Sequence, residues 1–209
     1  MISLTHDELQ AMNGVIDNKL LFGVTFTNSN ENSEERVEIA QKGLAEKGYI
    51  LDGKLTDKFL IVARLLEEYK KSERYLFINN LRISLEKGPY AKVIELTDKE
   101  ITISRVPKIT VVKKYVEVSE FLKKEQKAQF FPFEEQTITM EAYEEDLDSG
   151  EWDNLMVIQK YEKEQLQDMR TYYFNDVQAY CYNFITNKKQ ERGAKDFRNE
   201  LLLLLEVEV

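Results

Sequence analysis

Near residue 72 the apolar pattern of this chain changes period. Up to Tyr69 apolar residues recur every three to four positions, as along one face of a helix; from Tyr75 they recur every second position, as along one face of a strand. Helices followed by consecutive strands with short connections argue for an α+β fold built on an antiparallel sheet, and against a helical bundle or a βαβ array.

The helical stretch carries its own punctuation. Thr5-x-x-Glu8 is a capping box with Leu4 and Leu9 placed as its staple, and Gly14 lies just past the expected end of that helix. Asn32 with Glu35 opens a second helix, with Val37, Ala40, Leu44 and Ala45 on one side and a stop at Lys47-Gly48. Asp52-Gly53 is a turn, and Thr56 caps a third helix with Phe59, Val62, Ala63, Leu66 and Tyr69 inward.

Tyr75, Phe77, Leu81, Ile83 and Leu85 then share one face of a strand, interrupted only at Asn79. Glu86-Lys87-Gly88-Pro89 turns the chain into a second strand, Tyr90 to Leu96, and Thr97-Asp98-Lys99 turns it into a third that Pro107 ends. Residues 108–129 fit two readings: Ile109, Val111 and Val112 favour a strand, whereas Val112, Val116, Ser119 and Lys123 step along a helix. Ser119 to Ala128 is read as helix. A short helical pattern follows from Met140 to Leu147, then strands at Leu155–Tyr161 and Met169–Phe174. Residues 177–186 fit strand and helix equally, and Ala194 to Glu206 reads as a closing helix. No Ser/Gly-rich linker interrupts the chain. It is expected to be a single α+β domain over 1–209, a mainly antiparallel central sheet flanked by helices, with subdomain halves 1–130 and 131–209.

The inventory of reactive side chains narrows the chemistry. Cys181 is the only cysteine and His6 the only histidine, which excludes a multi-cysteine or multi-histidine metal site. Asp146-x-Asp148-x-Gly150 departs from a calcium loop: its glycine falls one place early, and Val157 stands where the bidentate Glu belongs. Gly43, Gly48 and Gly53 are too widely spaced for a phosphate loop. No catalytic, cofactor-binding or metal-binding residue is assigned, and the chain is not expected to be an enzyme. It has no apolar run near the roughly 18 residues of a membrane span and no basic, apolar leader, so a cytoplasmic protein without membrane insertion is expected.

Its charge is uneven. The 38 acidic residues exceed the 29 Lys and Arg, a net charge of −9. The excess is confined to the segment from Glu134 to Asp153, which contains Glu134, Glu135, Glu141, Glu144, Glu145, Asp146, Asp148, Glu151 and Asp153 and no base. That balance argues against nucleic acid as a partner and leaves a solvated face or a docking surface for a basic one.

The aromatic residues are the candidate binding groups. Tyr172, Tyr173, Phe174, Tyr180, Tyr182 and Phe184 crowd together, and Phe130, Phe131 and Phe133 interrupt a loop. If 177–186 is a strand, Val177, Ala179, Cys181 and Ile185 oppose the aromatics, so it is either central and covered on both faces or has one face awaiting a partner. Phe130, Phe131, Phe133, Tyr172, Tyr180, Tyr182 and Phe184 are the expected partner-binding residues.

The order Leu4-Thr5-x-x-Glu8-Leu9, Glu35-Arg36, Leu44-x-x-x-Gly48, Asp52-Gly53-x-Leu55 and Leu65-Leu66, followed by strands, resembles the EspG-like chaperones of type VII (ESX) secretion over residues 1 to 106. The resemblance implies an α+β fold with a quasi-two-fold arrangement around a central sheet. It also implies a cytosolic, non-enzymatic role in holding helical secreted substrates. The connection Thr97-Asp98-Lys99 is shorter than that family's substrate-binding loop, which points from PE/PPE-type partners toward small helical-hairpin substrates of a Gram-positive bacterium. The alternative is a homodimeric structural or adaptor protein joined through Leu201–Leu205.

Overall fold

In the computed structural model, which describes residues 1–26, 33–125 and 134–207, the capping box at Thr5 is formed. Glu8 N donates to Thr5 Oγ1 (3.1 Å) and Thr5 N donates to Glu8 Oε2 (2.7 Å). Behind it, a short strand β1 (Ile2–Leu4) leads into helix α1 (His6–Ile16). Gly14 lies within α1 rather than past its end. The left-handed residue that follows the helix is Asn18, at φ +51, whose N–H donates to Asn13 O (3.0 Å).

Helix α2 (Ser33–Glu46) ends as expected, with Gly48 left-handed at φ +74; Asn32, its expected cap, lies outside the described residues. Its inward face is narrower than the spacing suggests. Ala40 and Leu44 are buried, but Val37 and Ala45 are exposed. The Glu8 side chain of α1 lies against Gly43, where a Cβ would meet its Oε1 at 2.3 Å. Strands β2 (Ile50–Leu51) and β3 (Lys54–Leu55) form a separate hairpin about Asp52-Gly53, both left-handed. In α3 (Asp57–Lys70) all five expected inward residues are buried, and the Tyr69 hydroxyl donates to Phe22 O (2.8 Å).

The segment read as one strand from Tyr75 to Leu85 is two, β4 (Arg74–Ile78) and β5 (Leu81–Leu85), turned at Asn79 with φ +49. The turn is Asn79-Asn80, both exposed; being two residues long, it leaves Leu81, Ile83 and Leu85 in phase with Tyr75 and Phe77, so the alternation continues across it and hides it. Strands β6 (Tyr90–Leu96) and β7 (Ile101–Pro107) follow as read. Residues 108–118 then form helix α4 (Lys108–Val118); of the helix expected at 119–128, residues 126–128 lie outside the described residues, and the described part is the single turn α5 (Glu120–Lys123). Ser119 makes the break: it is extended (φ −116, ψ 116), and its hydroxyl accepts from Leu122 N at 3.2 Å.

The remaining elements are β8 (Glu135–Thr137), α6 (Met140–Ser149), β9 (Asn154–Glu162), β10 (Gln165–Phe174), β11 (Ala179–Asn183), β12 (Lys188–Glu191) and α7 (Ala194–Leu204). Residues 179–183 are therefore strand. Strands β8 and β12 carry only polar residues, without the alternation that would reveal them.

The ten strands outside the β2–β3 hairpin are hydrogen-bonded in the order β1-β7-β6-β5-β4-β9-β10-β11-β12-β8. This order contains a topological repeat. Each half has a short strand, a helix and a four-strand meander whose last member pairs antiparallel with the short strand: β1 with β7, and β8 with β12. A helix closes each meander. Strands β4 and β9 join the two meanders antiparallel, Phe77 opposite Gln159 and Ile78 opposite Ile158. The repeat divides between α5 and β8. What breaks it is an insertion: α2, β2–β3 and α3 stand between α1 and β4, whereas α6 runs directly to β9.

By density of contacts the chain separates differently. One compact unit comprises residues 1–73, 80–84 and 92–105; the other comprises 74–79, 85–91 and 106–209. Residues 106–125 group with the second unit because α4 and α5 both pack on α7.

Candidate functional site

Within the second unit, β10 and β11 pair Tyr172 with Cys181, Tyr173 with Tyr180 and Thr171 with Tyr182. Alternation sends Tyr172, Phe174 and Cys181 to one face and Tyr173, Tyr180 and Tyr182 to the other. Helix α7 covers the first face. Phe197 stacks on Tyr172 (4.2 Å between centroids, 9° between planes) and meets Phe174 edge-on. Burial pushes the Cys181 thiol up to about 11, with the nearby Glu200 carboxylate adding to it, so the thiol behaves as a small apolar group. Glu200 of α7 takes an ion pair from Arg170 and lies 3.5 Å from Arg192 Nε, tying the helix to β10 and the end of β12.

Helix α6 covers the second face. Its buried Tyr143 stacks on Tyr182 (4.4 Å, 14°) and meets Phe184 and Tyr173 edge-on. Trp152 packs edge-on against Tyr173 (4.9 Å) and Tyr180 (5.7 Å). Burial first, and then the Asp146 carboxylate, raise the Tyr173 phenol above its ordinary value. Lys189 pairs with Asp146 and lies 4.5 Å over the Tyr180 ring. Strand β11 is thus central, with both faces covered.

The expected binding aromatics therefore separate. Tyr172 and Tyr182 are fully buried and hold the two helices to the sheet; Tyr180 and Phe184 are half-buried at the margin of the α6 cluster. Phe130, Phe131 and Phe133 lie outside the described residues. Leu201, Leu204 and Leu205 are buried, which leaves Leu203 (75% exposed) as the outward member of the leucine run.

The acidic segment is a structured cover. Tyr143 anchors it, Glu135 pairs with Lys188 (2.6 Å) and Asp146 pairs with Lys189. Glu141, Glu144, Glu145 and Asp148 occupy the exposed face of α6 at i, i+3, i+4 and i+7, presenting a carboxylate stripe to solvent.

In the first unit, the insertion leaves aliphatic surface uncovered. Val37 and Ile39 on α2, Leu51 and Leu55 on the β2–β3 hairpin, and Leu60 and Ile61 on α3 are between 46% and 66% exposed. Of these, Leu60 and Ile61 are adjacent on α3, and exposed aliphatic side chains of this kind are chemically suited to an apolar helix face. The sequence holds a trace of this: Phe59-Leu60-Ile61-Val62-Ala63 is more continuously apolar than one buried face of α3 requires. Among the described residues, no helix is long and apolar enough to cross a membrane.

Residues 3–200 match the family described as a domain of unknown function, DUF5081, and the chain belongs to that family. No curated protein matches it.

Proposed function

From membership in a family whose description carries no activity, we propose that this protein is a cytosolic binding module for helical protein segments, a chaperone of the EspG-like, type VII secretion kind. The observation that carries the reading is the topological repeat, a short strand, helix and four-strand meander occurring twice in one antiparallel sheet. A quasi-two-fold sheet is the architecture that the resemblance of residues 1 to 106 implies. Because a fold alone does not define a function, the reading also needs a surface, and the insertion that interrupts the repeat supplies it. A substrate helix docks its apolar stripe on the adjacent exposed Leu60 and Ile61 of α3, keeping that stripe out of water before secretion. The carboxylate stripe of α6 steers basic segments and sets the on-rate more than the affinity.

Co-expression with the small helical proteins encoded beside it tests the reading. The wild type retains one of them through size exclusion, and Leu60→Asp with Ile61→Asp, both at exposed positions, loses it with the fold unchanged by circular dichroism. Retention of no such helical partner, or equal retention by the double variant, refutes it.

A further inference from the structure

Within the second unit, a cleft of about 550 Å³ opens between the β5–β6 turn, the start of α4 and the end of α7. Gly88, Pro89, Pro107, Ile109, Leu202 and Val207 make its wall apolar; Lys108 and Glu206 are its charged members. Lys108 is 2% exposed, an unusual placement for an ammonium. Its backbone N–H donates to Pro89 O (2.8 Å), which fixes the first residue of α4 against the turn, and its Nζ donates to Glu86 O (2.8 Å). The closest carboxylate oxygen, Glu206 Oε2, stands at 3.8 Å, beyond hydrogen-bonding distance, while Glu206 Oε1 is engaged by Arg74.

An ammonium has three donors, and a buried charge is stable only when its donors are met. Here one is met in full, by a neutral carbonyl. We propose that this cleft binds an aliphatic carboxylate, with the carboxylate completing the hydrogen bonding of Lys108 and the hydrocarbon lying against Pro89, Pro107, Ile109 and Leu202. The volume falls in the range of small-ligand sites, and the one cation in a largely apolar wall, Lys108, orients a ligand with an anionic end. Glu206, held by Arg74, closes the charged end of the cleft. The same chemistry is offered by a free medium-chain fatty acid and by a chain terminus with an aliphatic last residue.

Isothermal titration calorimetry on the full chain tests the site with octanoate, 1-octanol, and a peptide ending in Leu-Val with either a free or an amidated C-terminus. Binding of octanoate, of the free-acid peptide or of both is expected, and which of them binds identifies the source. Octanol and the amide bind at least about tenfold more weakly, as expected for losing a hydrogen bond to a charged group. Lys108→Met removes the acid preference while keeping the volume; Leu202→Trp fills the cleft and removes binding while keeping Lys108. Circular dichroism verifies the fold of both variants. The proposal is overturned if neither acid binds, if octanol or the amide binds as tightly as its acid, or if folded Lys108→Met retains wild-type affinity. The cleft is independent of the substrate-binding reading above, so either can fail alone.

Discussion

Replacing Tyr143 with alanine tests what holds the acidic helix to the sheet. Tyr143 is the buried residue of α6, stacked at 4.4 Å on Tyr182 and edge-on to Tyr173 and Phe184. Truncating a core aromatic to alanine costs about 3–5 kcal/mol, and the ring pairs contribute part of that. Opposing this anchorage, Glu141/Glu144, Glu141/Glu145, Glu144/Asp148 and Glu145/Asp148 are like-charge neighbours on α6. At about 0.2–0.5 kcal/mol each at low salt, they weaken the helix by about 1–2 kcal/mol in all. Without its ring, α6 is held mainly by the Asp146–Lys189 pair and the half-buried Leu147. Tyr143→Ala should lower the urea-derived stability by about 3–4 kcal/mol, whereas Tyr143→Phe, which keeps the stacking, should lose under about 1 kcal/mol. Trp152, the single tryptophan, sits 4.9 Å from Tyr173 and reports the event directly, its emission shifting to the red in Tyr143→Ala. Added salt should stabilise α6 by screening its stripe. A loss below about 1 kcal/mol in Tyr143→Ala, with Trp152 emission unmoved, would refute the view that this ring anchors the segment.

Two further outcomes follow from local geometry. The β9–β10 turn places Lys163 (φ +48) and Glu164 (φ +63) in the left-handed region, where side chains other than Gly, Asn and Asp are disfavoured. Lys163→Asn with Glu164→Gly should therefore raise the urea midpoint, by about 1 kcal/mol in stability, and a lowered midpoint would contradict the turn assignment. Burial opposes ionisation of Glu68, but hydrogen bonds from Lys92 and Arg64 outweigh it and hold the carboxyl below its ordinary value of 4.5. A depressed folded value means the contribution is complete above the ordinary value and is lost as pH falls through the folded one. The stability difference between wild type and Glu68→Gln should accordingly shrink on acidification below about pH 4.5; urea unfolding across that range checks it, and a growing difference would reverse the sign.

Elements whose signals are local were legible. The Thr5 box and the Thr56 cap act through atoms three residues away, and Gly48, Gly53 and Gly88 are left-handed where the chain must turn. Segments in which one local pattern served two structures were not. Val111 and Val112 suit a strand by propensity, yet they are buried in α4, where Pro107 starts a helix and Ser119 ends it. The site was harder still. Tyr172 and Tyr182 are large aromatics in a crowded cluster and look like anchors, yet they are interior because two helices, one remote in sequence from the other, cover opposite faces of the β10–β11 pair. Val37 looked inward by its spacing with Ala40 and Leu44, yet it is exposed while those two are buried.

By itself the sequence determined the α+β class, the capped helices, the antiparallel meander and the confinement of net charge to 134–153, since periodicity, caps and composition are properties of neighbouring residues. Only the tertiary structure decided that β8 and β12 are strands, that the acidic segment is a cover anchored by Tyr143, and which aliphatic groups remain in solvent. Hydrogen-bond partners along a sheet, and the surface opposite an apolar face, are supplied by residues far away in the chain, and no local pattern encodes which of them arrive.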